Sequence, residues 1–146
     1  AIAGYPMQDL RVTVHDGKHH PVDSKEVAFV VAGRKAFLDA VAHARPQVLE
    51  PVVDLEVHAP EPHMGDVSGG LAAKRARING TDANGSGEIV ITAQVPLSEL
   101  EGYAAELKSA TAGRGRYALD FSHYEPVPPQ VQQALAADWR PRPDEE

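Results

Sequence analysis

Between Val53 and Tyr124 the chain carries four short runs of alternating apolar residues and two stretches of helical period, and their order leaves few folds open. Val53, Leu55, Val57 and Ala59 alternate with Asp54, Glu56 and His58, the pattern of a strand with one face buried. Pro60-Glu61-Pro62 closes that run and suits a helix start, where a missing N–H is harmless. Met64, Val67 and Leu71 then stand at helical spacing up to Lys74-Arg75, despite glycines that weaken a helix. Ala76 to Asn79 is a short strand, Gly80 to Gly87 a turn-rich loop containing Asn84-Gly85, and Ile89, Ile91, Ala93 and Val95 the next strand. Leu97, Leu100, Ala104 and Leu107 form a second helical stripe that ends near Gly113, a left-handed cap. Tyr117, Leu119 and Phe121 complete the series. The order β-α-β-β-α-β predicts an α+β fold, the ferredoxin-like split βαβ sandwich: a four-stranded antiparallel sheet with both helices on one face.

The segment before it has a different character. Leu10, Val12 and Val14 alternate as a strand, and Asp16-Gly17 ends it as a turn. Asp23 with Glu26 three residues on predicts a capped helix start, and Val27, Val30, Val31, Phe37, Leu38 and Val41 share one face of a helix running to about Ala44. Arg45-Pro46 stops it, because the residue before proline is pushed out of the α region. Gln47 to Pro51 reads as a linker. One strand and one long amphipathic helix do not make a domain, since the apolar face needs a sheet or another helix to cover it. Together with a start at Ala1 rather than Met, this predicts a piece of a larger protein. The expected organisation is 1–48 as a partial βα segment, 52–125 as the ferredoxin-like domain, and 126–146 as a short helix carrying Val131, Ala134 and Leu135 followed by a disordered Pro- and acid-rich end.

An apolar fraction of 42% in 146 residues is enough for at least one core. No stretch approaches the roughly 20 apolar residues of a membrane span, and the first residues lack the pattern of a signal peptide. The absence of cysteine removes disulfides and thiolate metal sites and agrees with a cytoplasmic location. A formal charge of −7 argues against coating nucleic acid through bulk electrostatics, so any contact would be focal. The basic clusters are Lys18, Lys74-Arg75-Ala76-Arg77 and Arg114-Gly115-Arg116. The last two, if their strands lie side by side, form one joint patch for an RNA backbone.

His15, His19 and His20 beside Asp16 and Asp23 include metal-ligating residue types, but adjacent histidines rarely converge on one ion, and no metal is assigned. The same loop, with Lys18 and two stackable imidazoles, suits contact with unpaired RNA. Asp82 to Ile89 imitates the start of a calcium loop, yet its twelfth position is Ala93 instead of a bidentate acid, so a hairpin turn is predicted. Gly65 to Gly70 lacks the Gly-Lys-Ser/Thr ending of a phosphate loop, and its glycines are expected to allow close packing of helix on sheet. No residues form a catalytic set.

The ordered motifs Gly4-Tyr5-Pro6, Asp16 to Phe29, Leu49-Glu50-Pro51, Met64-Gly65-Asp66-Val67, Pro96 to Tyr103, Leu107 to Gly115 and Phe121-Ser122-His123-Tyr124 resemble translation elongation factor G, from the second half of domain IV through domain V. The resemblance covers Gly4 to about Leu135. It implies a C-terminal fragment of a ribosomal translocase or close paralogue whose GTPase domain, with GTP and magnesium, lies upstream. It implies that His20, at the family's tip histidine, contacts tRNA and mRNA, with Lys18 and His19 as neighbours, and that the ribosome is the partner, with ribosomal RNA met by Lys74, Arg75, Arg77, Arg114 and Arg116. A dimer or swapped packing of the fragment is a further expectation, and no membrane partner is. Where the family continues with Ile-Gly-Asp-Leu-Asn and then Arg-Arg-Gly, this chain has Ser68 to Ala76 without that aspartate, asparagine and final glycine, which implies a divergent factor. The alternatives are a ribosome protection or rescue factor of the same family and a ferredoxin-like module that binds small molecules.

Overall fold

In the computed structural model, which describes residues 2–140, the chain forms two compact units. One is Leu49–Pro126, and the other gathers the segments before and after it. The expected disordered end, from residue 141 onward, lies outside the described residues.

The Leu49–Pro126 unit has four strands, β1 (Leu49–Pro60), β2 (Arg77–Ala83), β3 (Glu88–Pro96) and β4 (Arg116–Pro126). They form one antiparallel sheet in the order β2-β3-β1-β4. Between the strands run the helices of this unit, Met64–Ala72 and Tyr103–Ala110, with short 3₁₀ turns at Glu61–His63 and Leu97–Leu100. This is the ferredoxin-like α+β fold. Val53 pairs with Val95, Leu55 with Ala93, Val57 with Ile91 and Ala59 with Ile89, so the alternating residues of the two central strands share one face. Val67, Leu71, Tyr103 and Leu107 of both helices are buried on that face, with Ala76 and Tyr117 at its margin. Burying a side chain such as Leu71 completely stabilises by roughly 1.5–3 kcal/mol.

Element limits differ from the sequence reading where backbone pairing decides them. Gln47–Pro51 is not a linker throughout, because Leu49 already pairs with Pro126 and Glu50 with Glu125. Strand β2 continues through Thr81, Asp82 and Ala83, and the predicted loop shrinks to a hairpin turn with Gly85 at φ 72° and Gly87 at φ 82°. The second helical stripe divides into a 3₁₀ turn and a helix, separated by Gly102 at φ 73°. Gly113 has the left-handed backbone expected of it, φ 79°. Close packing does not explain Gly65 and Gly69, since a Cβ at either meets nothing within 4 Å. Gly115 is where space is short: a Cβ there would stand 2.7 Å from Thr111 Oγ1 and 2.8 Å from Leu107 Cγ.

In the other unit a helix spans Glu26–His43 and a second spans Pro129–Asp138. With these the helices in chain order are α1 (Glu26–His43), α2 (Met64–Ala72), α3 (Tyr103–Ala110) and α4 (Pro129–Asp138). Gln132 of α4 accepts from Val48 N–H at 2.9 Å and donates to the Pro46 carbonyl at 3.4 Å. Near the start of the chain Gly4, at φ 73°, lies against the Trp139 indole, where a Cβ would collide with Nε1. The predicted strand at Leu10–Val14 is absent: the segment carries no ladder bonds and its side chains are exposed, because among the described residues of this unit no strand pairs with it. A lone strand leaves its backbone groups to water. Helix α1 forms over nearly the predicted span, yet none of its residues is buried. No helix among the described residues is long and apolar enough to cross a membrane.

Candidate functional site

Two regions hold the residues singled out from sequence, the exposed turn at His20 and the charged side chains of the sheet unit. The turn covers residues 21–23 and follows a polar segment that begins at Asp16. Asp16 Oδ1 accepts from Gly17 N–H at 2.7 Å, and Lys18, His19 and His20 follow, all exposed. His20 N–H donates to Ser24 Oγ, and Ser24 N–H donates to the His20 carbonyl at 3.1 Å. The His20 Nδ1 lies 3.3 Å from Asp23 Oδ2 and accepts from Val22 N–H at 3.3 Å. Asp23 therefore does not cap α1 as its spacing suggested. The N-cap is Lys25, without a side-chain cap bond, and the best capping residue types nearby are turned toward His20.

The basic residues are distributed otherwise than as one patch. Strands β2 and β4 are opposite edges of the sheet, three strand spacings or roughly 14 Å apart across β3 and β1, and Arg77 is in register with Asp54 of β1 whereas Arg116 is in register with His58, so the two arginines are displaced along the strands as well. The expected joint patch does not form, because the split βαβ order places the second and fourth strands at opposite edges.

Four of the five basic positions face carboxylates. Arg75, whose backbone is left-handed at φ 55°, clamps Glu50 through Nη1 to Oε1 at 2.7 Å and Nη2 to Oε2 at 3.0 Å, and reaches Glu99 through Nε at 2.8 Å. Hydrogen bonding to Glu50 holds its guanidinium well above the ordinary range, against the opposing effect of burial. Arg77 Nη2 meets Glu125 Oε1 at 2.6 Å, and His123 Nε2 meets the same oxygen at 2.7 Å. The hydrogen bond from Arg77, with that of His123 second, holds the Glu125 carboxyl below the usual range. Arg116 pairs with Glu88 and lowers its carboxyl in the same way, while its Nη2 stands 3.2 Å from His58 Nδ1. Lys74 Nζ lies 2.8 Å from Glu106 and 6.0 Å above the Tyr103 ring. Arg114 alone of the five faces no carboxylate among the described residues; its Nη2 is 3.4 Å from His63 Nε2.

These pairs explain a difficulty of the fold. Glu50 and Glu125 are directly opposed on β1 and β4, and like charges across a ladder are unfavourable. Arg75 and Arg77, two apart in the chain after α2, give each carboxylate its own cation. Sequence spacing had no access to these partners, since Glu50 and Glu125 stand 25 and 48 residues from their arginines. The Ser24 contact to His20 was accessible only as a short-range polar pair without a known geometry.

The sequence matches the family model described as elongation factor G, domain IV, over residues 1–45 and the one described as elongation factor G C-terminus over residues 47–135. A crystal structure of a protein from Thermus thermophilus is similar at 41% identity with a TM-score of 0.69. That similarity covers 84% of this chain and 18% of the other, so the chain spans less than a fifth of that relative's length.

Proposed function

Because this chain belongs to the elongation factor G family, with domain IV and C-terminal matches in tandem, we propose that it is the ribosome-docking end of a translational GTPase that promotes movement of tRNA and mRNA. The reading is supported above all by His20, an exposed imidazole held at the head of a hydrogen-bonded turn within the segment matched to domain IV. In this proposal Lys18, His19 and His20 meet tRNA and mRNA, the first through its charge and the histidines through stacking and hydrogen bonding. Ribosomal RNA is met first by Arg114, which faces no carboxylate among the described residues, and next by Arg116 and Arg77, which are more than half exposed. Lys74 and Arg75 contribute indirectly by holding α2, α3 and the start of β1 in place. GTP and magnesium are handled outside these 146 residues.

The test uses the intact factor carrying this chain. His20→Ala slows single-turnover translocation about tenfold, equivalent to about 1.4 kcal/mol, with GTP hydrolysis unchanged. An unaltered translocation rate overturns the tip role. The altered Ser68 to Ala76 segment favours one second reading, a specialised protection or rescue factor. An intact factor that frees drug-blocked ribosomes without driving translocation establishes that reading in its place.

A further inference from the structure

Ser24 and Asp23 are residue types that ordinarily cap a helix, and they stand directly before α1, yet α1 receives no side-chain cap bond. Both are committed to His20 instead. Ser24 grips the main chain of His20 at two points, its Oγ accepting from His20 N–H and its own N–H donating to the His20 carbonyl at 3.1 Å. Lys25 N–H donates to the Asp23 carbonyl at 3.0 Å, which closes the turn beneath them.

The ring is oriented by the same few residues. Val22 N–H points at Nδ1 at 3.3 Å, and a neutral ring that accepts this hydrogen bond at Nδ1 carries its proton on Nε2. When the ring is protonated, Nδ1 becomes a donor and the Asp23 carboxylate, 3.3 Å away, takes the place of Val22 N–H as its partner. In either state Nε2 is a donor, and it has no partner among the described residues, on a side chain that is 66% exposed.

We propose that Ser24 and Asp23 are positioning residues for His20, which fix its backbone and ring so that Nε2–H is offered to an acceptor oxygen of RNA, a phosphate or a ribose hydroxyl. This rests on the tip role proposed above. A preset ring loses less freedom on contact than one that must be ordered by its partner. The turn thus contributes geometry, while His20 supplies the contact.

Two measurements test it. In NMR of the 146-residue chain, Ser24→Ala speeds exchange of the His20 amide about tenfold and removes the fixed imidazole tautomer seen in ring nitrogen shifts, whereas Ser24→Thr retains both. Unchanged amide exchange and ring shifts in Ser24→Ala overturn the positioning role. In the intact factor, Ser24→Ala slows translocation in the presence of His20 and has no further effect in a His20→Ala background, because the serine acts through the histidine. An equal slowing in both backgrounds overturns the proposal in favour of a general structural role. A silent His20→Ala overturns the RNA contact itself, while the NMR measurement still decides by itself whether Ser24 sets the ring.

Discussion

The hydroxyl of Tyr103 is buried without a hydrogen-bond partner among the described residues, although its ring packs edge-on to Tyr117 at 5.3 Å. A buried phenol of this kind contributes apolar contact and loses the hydration of its oxygen. Tyr103→Phe is therefore expected to raise stability by about 1 kcal/mol in urea unfolding, since it removes the unsatisfied group and keeps the ring. Burial first, and the Glu106 carboxylate second, push the phenol up to about 12 from its ordinary 10.0. A neutral phenol is thus favoured by the fold: stability falls as pH rises from about 10 through about 12, as the unfolded chain loses its proton first. The difference between alkaline absorbance titrations of wild type and Tyr103→Phe checks this, with an expected midpoint about 12. At this scale the sequence was legible by residue type and poorly legible by partner. Tyr103 was visible as part of a motif and its burial was not, just as Arg75 was visible as a cation while its clamp on Glu50, 25 residues away, required the fold.

Helix α1 is the element whose sequence reading and environment diverge most. Its apolar face was readable from spacing, and Val27, Val30, Val31 and Leu38 on that face are all exposed, with Phe37 and Val41 half-buried. Periodicity reports which face needs cover and carries no information about what supplies it. The helix consequently depends on local preferences more than a packed helix does, and Gly33 weakens those. A Cβ at Gly33 meets nothing within 4 Å, so Gly33→Ala is expected to stabilise α1 by about 1 kcal/mol, read as increased helical ellipticity and slower amide exchange across Val30 to Ala36. Strand β2 shows the opposite case. Its sequence signal stopped at Asn79, and pairing of Thr81, Asp82 and Ala83 with Ile91, Val90 and Ile89 carries it further. Ladder bonds there decide an extent that residue preference alone leaves short.

At the scale of the whole molecule, the buried core cluster lies entirely between Val53 and Leu107, inside the Leu49–Pro126 unit. A unit with its own core and complete sheet is expected to fold when excised. Residues 49–126 alone should show one cooperative thermal transition with the β-sheet signature of the parent chain, measured by calorimetry and circular dichroism. A non-cooperative melt would refute it. The alternating and helical periods of this unit determined its fold class and which residues face inward, because burial on one side of a strand or helix writes itself into the local order of residues. The tertiary structure alone decided that the arginines serve Glu50, Glu88, Glu99 and Glu125, while the local turn decided that Asp23 and Ser24 serve His20. Charge and hydrogen-bond partners are chosen by distance in space, and a chain's spacing constrains that distance only within a turn or two.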